Sequence, residues 1–170
     1  TVNSAGDIFV SDGYGNSRIH RFSPEGVLKA SWGEPGGPPG RFRLPHDVVL
    51  DSKDRLIVAD RENSRLQVFD QHGNLLEIWH DVIRPTGLFV DANGLVYVSE
   101  MALRVSVFDP EGRLVTRWGN PTPVRDEALF LGPHAVAVDS QGDVYVGEVS
   151  KTYAGTDKGP RTIQKFARVR

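Results

Sequence analysis

The feature that most constrains this chain is a repeat of four short apolar runs separated by polar turns, clearest between Leu44 and His80. There the runs are Val48-Val49-Leu50, Leu56-Ile57-Val58, Leu66-Gln67-Val68-Phe69 and Leu75-Leu76-Glu77-Ile78-Trp79. Asp51-Ser52-Lys53-Asp54, Arg61-Glu62-Asn63-Ser64 and Gln71-His72-Gly73-Asn74 lie between them and are rich in turn formers. β-Branched and aromatic runs of this length, with no sustained helical period, predict a four-stranded antiparallel meander. We name its strands a, b, c and d in chain order.

The unit recurs along the chain. Residues 6–33 supply strands b, c and d of a first copy, residues 84–119 a third copy, and residues 132–148 with Thr162–Phe166 a last one. Pro45 and Pro85, which open strand a in two copies, are 40 residues apart, and Pro133 follows after 48 more. Four strands in about 40 residues is the signature of a β-propeller blade and argues against a β-solenoid. The predicted fold is therefore all-β, with blade-like repeats at 1–36, 44–81, 84–120 and 132–170, read as one domain. Three copies look complete and one partial. Aligning Leu50-Asp51-Ser52 with Val2-Asn3-Ser4 leaves the first copy without its strand a, so residues 1–170 are expected to be the C-terminal portion of a larger ring.

Composition sets limits on partners. With 20 basic and 22 acidic residues the formal charge is −2, and no basic excess points to nucleic acid or an anionic membrane. The absence of cysteine excludes disulfides, thiolate metal sites and thiol nucleophiles. No run approaches transmembrane length, and no signal peptide is visible at the N-terminus. Oligomeric state is not readable.

Propeller geometry then gathers residues that are distant in sequence. Strand a lines the central channel, and because strands alternate direction, the d–a crossover and the b–c turn share one face. The first residues of strand a read Pro45-His46-Asp47, Pro85-Thr86-Gly87 and Pro133-His134-Ala135, so one column reads His, Thr, His. The b–c turns place Tyr14, flanked by two glycines, and Arg61 on the same face. Two histidines on alternate blades of a six-bladed ring suit a three-imidazole metal site with an open position. The plainer alternatives are a histidine that caps its strand, an exposed turn tyrosine, and an arginine paired within Asp60-Arg61-Glu62-Asn63. His20, His72 and His80 fall outside the column and read as structural or exposed. Residues 33–43 are too rich in Gly and Pro for a strand and read as a crossover. The longer connections Asn120–Leu131 and Ser150–Arg161 read as functional loops.

The repeats resemble NHL repeats, and four stretches resemble the peptidyl-α-hydroxyglycine α-amidating lyase family: SDGYGNSRI (11–19), LPHDVVL (44–50), VADRENSRLQVF (58–69) and GPHAVAVDSQGDVYVGE (132–148). The resemblance implies a six-bladed propeller, of which about four blades are present here, with a catalytic zinc held by three histidines. His46 and His134 match the second and third of these ligands, Tyr14 the catalytic tyrosine and Arg61 an active-site arginine. It places the first histidine and another arginine upstream of Thr1. Ala135 stands where relatives carry an aspartate that helps bind calcium, which puts calcium in doubt, and Gly15 replaces a disulfide cysteine. The implied reaction splits a small peptide-derived α-hydroxyglycine into a peptide amide and glyoxylate, with Tyr14 as general base and Arg61 as a supporting cation or carboxylate fork. The family suggests secretion, whereas this N-terminus does not. Two other classes fit the repeats. One is a non-catalytic propeller that binds protein or RNA, and the other a calcium-dependent lactonase-like hydrolase. The column His46, Thr86, His134 lacks the carboxylates of the latter, although Asp47 lies next to it.

Overall fold

The computed structural model describes residues 1–119 and 128–168. It is all-β, with four antiparallel sheets of three or four strands and little helix. The chain divides into two compact units, Thr1–Pro85 and Thr86–Arg170, each containing two sheets.

In the first unit, β1 (Ile8–Asp12), β2 (Arg18–Phe22) and β3 (Leu28–Trp32) form one sheet in chain order. β4 (Pro45–Leu50), β5 (Leu56–Asp60), β6 (Arg65–Phe69) and β7 (Leu75–Trp79) form the other, also in chain order. These strands match the predicted runs. Val2 bridges to Ile8 just as Leu50 pairs with Leu56, the equivalence drawn from the sequence. Every residue of β5 and β6 is buried, which explains why their apolar runs are nearly continuous rather than alternating. Phe9 and Ile19 of the first sheet pack with Val48, Leu56, Val58 and Phe69 of the second, and Trp32 and Leu75 cover the cluster.

The crossover 33–43 forms no strand, as predicted, but it contributes to the core. Phe42 is fully buried, 5.7 Å from the Phe69 ring, and a bridge joins it to Pro35. Gly33 lies against it. A Cβ there would come within 2.5 Å of the Phe42 ring, and the φ of +91° also favours glycine. Truncating a buried aromatic of this kind costs about 3–5 kcal/mol.

The second unit repeats this plan. β8 (Pro85–Val90), β9 (Val96–Glu100), β10 (Arg104–Phe108) and β11 (Leu114–Gly119) form one sheet, and β12 (Pro133–Val138), β13 (Val144–Glu148) and β14 (Ile163–Phe166) the other. Helix α1 (Ser150–Ala154) and a 3₁₀ turn over Gly159–Thr162 are inserted between β13 and β14. Phe130 and Trp118 flank Phe166 at 5.6 and 5.9 Å, as Phe42 and Trp32 flank Phe69 in the first unit. Among the described residues two sheets have four strands and two have three, so the count of three complete repeats is one too high. The fourth copy supplies strands a, b and c. Much of the predicted loop Asn120–Leu131 lies outside the described residues.

Candidate functional site

Both column histidines stand at irregularities in strand a. In β4, Pro45 pairs with Asp60 but Val48 pairs with Val58, so the register slips across His46 and Asp47. In β12, Pro133 pairs with Glu148 and Ala135 with Gly147, and the slip falls on His134. Such bulges re-aim side chains at strand ends, and each imidazole here is half-buried. A repeat read only for its apolar positions gives no sign of this extra residue.

The b–c turn of the first sheet, residues 13–17, brings Tyr14 to His46. The phenol oxygen lies 3.5 Å from His46 Nε2, and the rings meet edge-on with centroids 6.0 Å apart. The turn is one residue longer than its counterpart at 61–64, as the sequence indicates. Neither Gly13 nor Gly15 has positive φ, and Ser17 takes the left-handed conformation with φ of 54°. Ser64 and Leu103 do the same in their turns, each just before strand c. Gly13 is required because a Cβ there would meet the Pro45 carbonyl. The turn is closed by Asn16, whose amide donates to Asp12 Oδ2 at 2.6 Å and holds that carboxyl below the ordinary aspartate range.

Arg61 completes the group. Its Nη1 donates to the Tyr14 oxygen at 3.3 Å, and its Cζ lies 5.7 Å from the centroid of the Tyr14 ring. The ion pair anticipated within residues 60–63 is present as well, from Arg61 Nε to Glu62 Oε1 at 2.9 Å. The two arrangements coexist because a guanidinium presents several donors in a fixed plane. Arg61, Glu62 and Asn63 form a single 3₁₀ turn anchored by Asp60. Fully buried, Asp60 accepts from Arg65 Nε, Asn63 Nδ2, Gln67 Nε2 and the Arg43 amide. The sequence reading passed over Asp60. Its signal is an acid at the junction of an apolar run and a turn, where burial demands partners.

In the second unit, Glu148 stands in the same relation to His134, fourteen residues later, as Asp60 does to His46. It accepts from the Leu131 and Gly132 amides, from Gln164 and from Lys158, which the inserted loop delivers. Thr86 does not behave as an open position of the column. It is fully buried, and its hydroxyl is 3.0 Å from both the carbonyl oxygen and Oγ of Ser99 and 3.1 Å from the Pro133 carbonyl. Gly87 allows this packing, since a Cβ there would come within 2.8 Å of the His134 carbonyl.

His20 lies 3.4 Å from Asp12, whereas His72 and His80 are exposed, in line with their structural or exposed reading. A cleft of about 860 Å³ in the second unit, walled by Val107, Trp118, Val138, Val144 and Phe166, touches none of the four candidate residues. In the first unit, Gly73 lies against the equivalent tryptophan, Trp32. Among the described residues no three His, Cys, Asp or Glu side chains gather as a metal-binding group.

The sheets have the blade-like plan of a β-propeller: residues 42–69 match the NHL repeat model, and the streptogramin B lyase structure superposes on the whole chain with a TM-score of 0.71. That structure is 19% identical, and the chain covers 54% of it, so the match speaks for fold alone. The chain is similar in sequence to peptidyl-glycine alpha-amidating monooxygenase A of Xenopus laevis, 33% identical over 84% of this chain and 17% of the relative. It is also 30% identical to peptidyl-alpha-hydroxyglycine alpha-amidating lyase 1 of Drosophila melanogaster, over 95% of this chain and 33% of that protein. The chain thus spans a third or less of the length of these two relatives.

Proposed function

We propose that this chain is part of a carbon–nitrogen lyase that converts a peptidyl-α-hydroxyglycine-like substrate into a peptide amide and glyoxylate. The observation that carries this reading is the contact series Arg61–Tyr14–His46 at one end of the first unit. The likeness to an amidating lyase supports it. In the reaction the carbinol O–H proton is removed, the C–N bond breaks, and its electron pair passes to nitrogen, which takes up a proton. Tyr14 is 77% exposed, so its oxygen is open to a substrate hydroxyl and is assigned as the base. Arg61 donates a hydrogen bond to that oxygen and so helps to orient it. Zinc belongs to the proposal as a Lewis acid that stabilises oxyanion charge. His46, which touches Tyr14, would give it one imidazole, and a complete shell needs further donors.

The test is glyoxylate release from a synthetic N-acyl-α-hydroxyglycine by the full-length protein, with metal content measured on the same sample. Release that depends on zinc is expected. Zinc-loaded protein that releases no glyoxylate overturns the reading. Bound calcium with lactone opening would favour the hydrolase, and neither metal nor turnover a binding scaffold.

A further inference from the structure

Arg61 reaches Tyr14 from a side chain with several rotatable bonds, and something must hold it there. Glu62 meets that need. Its Oε1 accepts from Arg61 Nε at 2.9 Å and from Arg84 Nη2 at 2.8 Å, so one carboxylate oxygen bridges two guanidiniums. Tying down Arg61 at Nε fixes the plane of the fork and leaves Nη1 to face the Tyr14 oxygen at 3.3 Å. The backbone under Glu62 is pinned too. Its amide donates to the Arg43 carbonyl at 3.0 Å, and that of Arg61 to the Leu44 carbonyl at 3.2 Å, both in the segment that leads into His46. The carboxylate stays ionised at neutral pH, because Arg84 and then Arg61 hold it below the usual glutamate range against the opposing effect of burial.

We propose that Glu62 is a positioning residue that aims Arg61 at Tyr14, with Arg84 as the second cation that keeps the carboxylate in place. Two guanidiniums and one carboxylate leave a net positive charge on the cluster, which reaches the phenol through Arg61. Without Glu62, Arg61 loses its anchor and the two like charges repel. This inference rests on the lyase reading for its consequence but not for its geometry.

The experiment compares the full-length protein with its Glu62→Ala and Glu62→Gln variants by side-chain NMR, following cross-peaks between the Arg61 guanidinium and the Tyr14 ring. Circular dichroism and melting control for the fold. Glu62→Ala should lose the cross-peak, and Glu62→Gln, which keeps an acceptor oxygen, should retain part of it. Turnover in Glu62→Ala should fall about tenfold in kcat with little change in KM. An intact cross-peak in well-folded Glu62→Ala overturns the inference whatever the activity. Loss of the cross-peak in a protein that has no lyase activity even as wild type leaves the positioning role standing and removes the lyase reading instead.

Discussion

Gly13 and Pro45 back onto each other so closely that any Cβ on Gly13 would strike the Pro45 carbonyl oxygen. The contact presses the turn that carries Tyr14 against the strand that begins with His46. Gly13→Ala should therefore destabilise the protein by roughly 1–3 kcal/mol, the range for overpacking a close contact, and should pull the phenol from the imidazole. At Gly15 the nearest atom to a new Cβ is Asp12 Oδ1 at 3.6 Å, an ordinary contact. Gly15→Ala should thus lie within about 0.5 kcal/mol of wild type. Thermal melts of the two variants decide the matter, and equal melting points would refute the contact.

Tyr14→Phe tests the base assignment. With so exposed a side chain, loss of its hydroxyl should leave the melting temperature alone. Turnover should drop by roughly 10²-fold or more, the usual contribution of general acid–base catalysis, with zinc content unchanged. Near-normal turnover would remove Tyr14 from the mechanism.

Thr86→Ala separates a channel ligand from a core tie. The buried hydroxyl bonds to Ser99 and to the Pro133 carbonyl, so its removal should cost about 1–3 kcal/mol. Zinc bound per chain should stay as in wild type. Metal lost from a variant that remains folded would assign Thr86 to the metal shell.

Asp7 should set part of the acid limit of stability. Lys29 and Arg21 hydrogen-bond its carboxylate and hold it below the ordinary aspartate range. A carboxyl depressed in the folded state stabilises the protein above its unfolded value, and that stability is lost as pH falls through the folded value. Asp7→Asn should accordingly lower the melting temperature at pH 7 and narrow the gap to wild type as the pH approaches 3. A gap that widens on acidification would contradict the sign.

The strands were legible because each run of β-branched and aromatic residues ends in turn formers, and Leu56–Val58 or Leu66–Phe69 could hardly be anything else. The meeting of Tyr14, His46 and Arg61 was legible too, since alternating strand directions put b–c turns and the start of strand a at one end. What could not be read depends on one atom meeting another. Phe42 sits in a glycine- and proline-rich stretch with no period to mark it as core. Thr86 shares a column with two histidines yet turns into the sheet, because Gly87 admits close backbone packing and Ser99 offers a partner. Ser17, rather than either glycine beside Tyr14, takes the left-handed turn. Asp60 and Glu148 show their role only once the amides they hold are in view.

Phe42 carries a further consequence. It touches Gly33 after the first sheet and Phe69 in the second, directly under the segment that delivers His46. Tyr14 belongs to one sheet and His46 to the other, so the gap between phenol and imidazole is a gauge of how tightly the two sheets stack. Loosening that stack opens the gauge before any strand melts, and the pair will report early strain that backbone signals miss. Trp32, 6.4 Å from Phe69 in the same cluster, gives the gauge an optical dial. With Trp79 and Trp118 replaced by Phe, its emission should shift at lower temperature or denaturant than the far-ultraviolet signal of the strands.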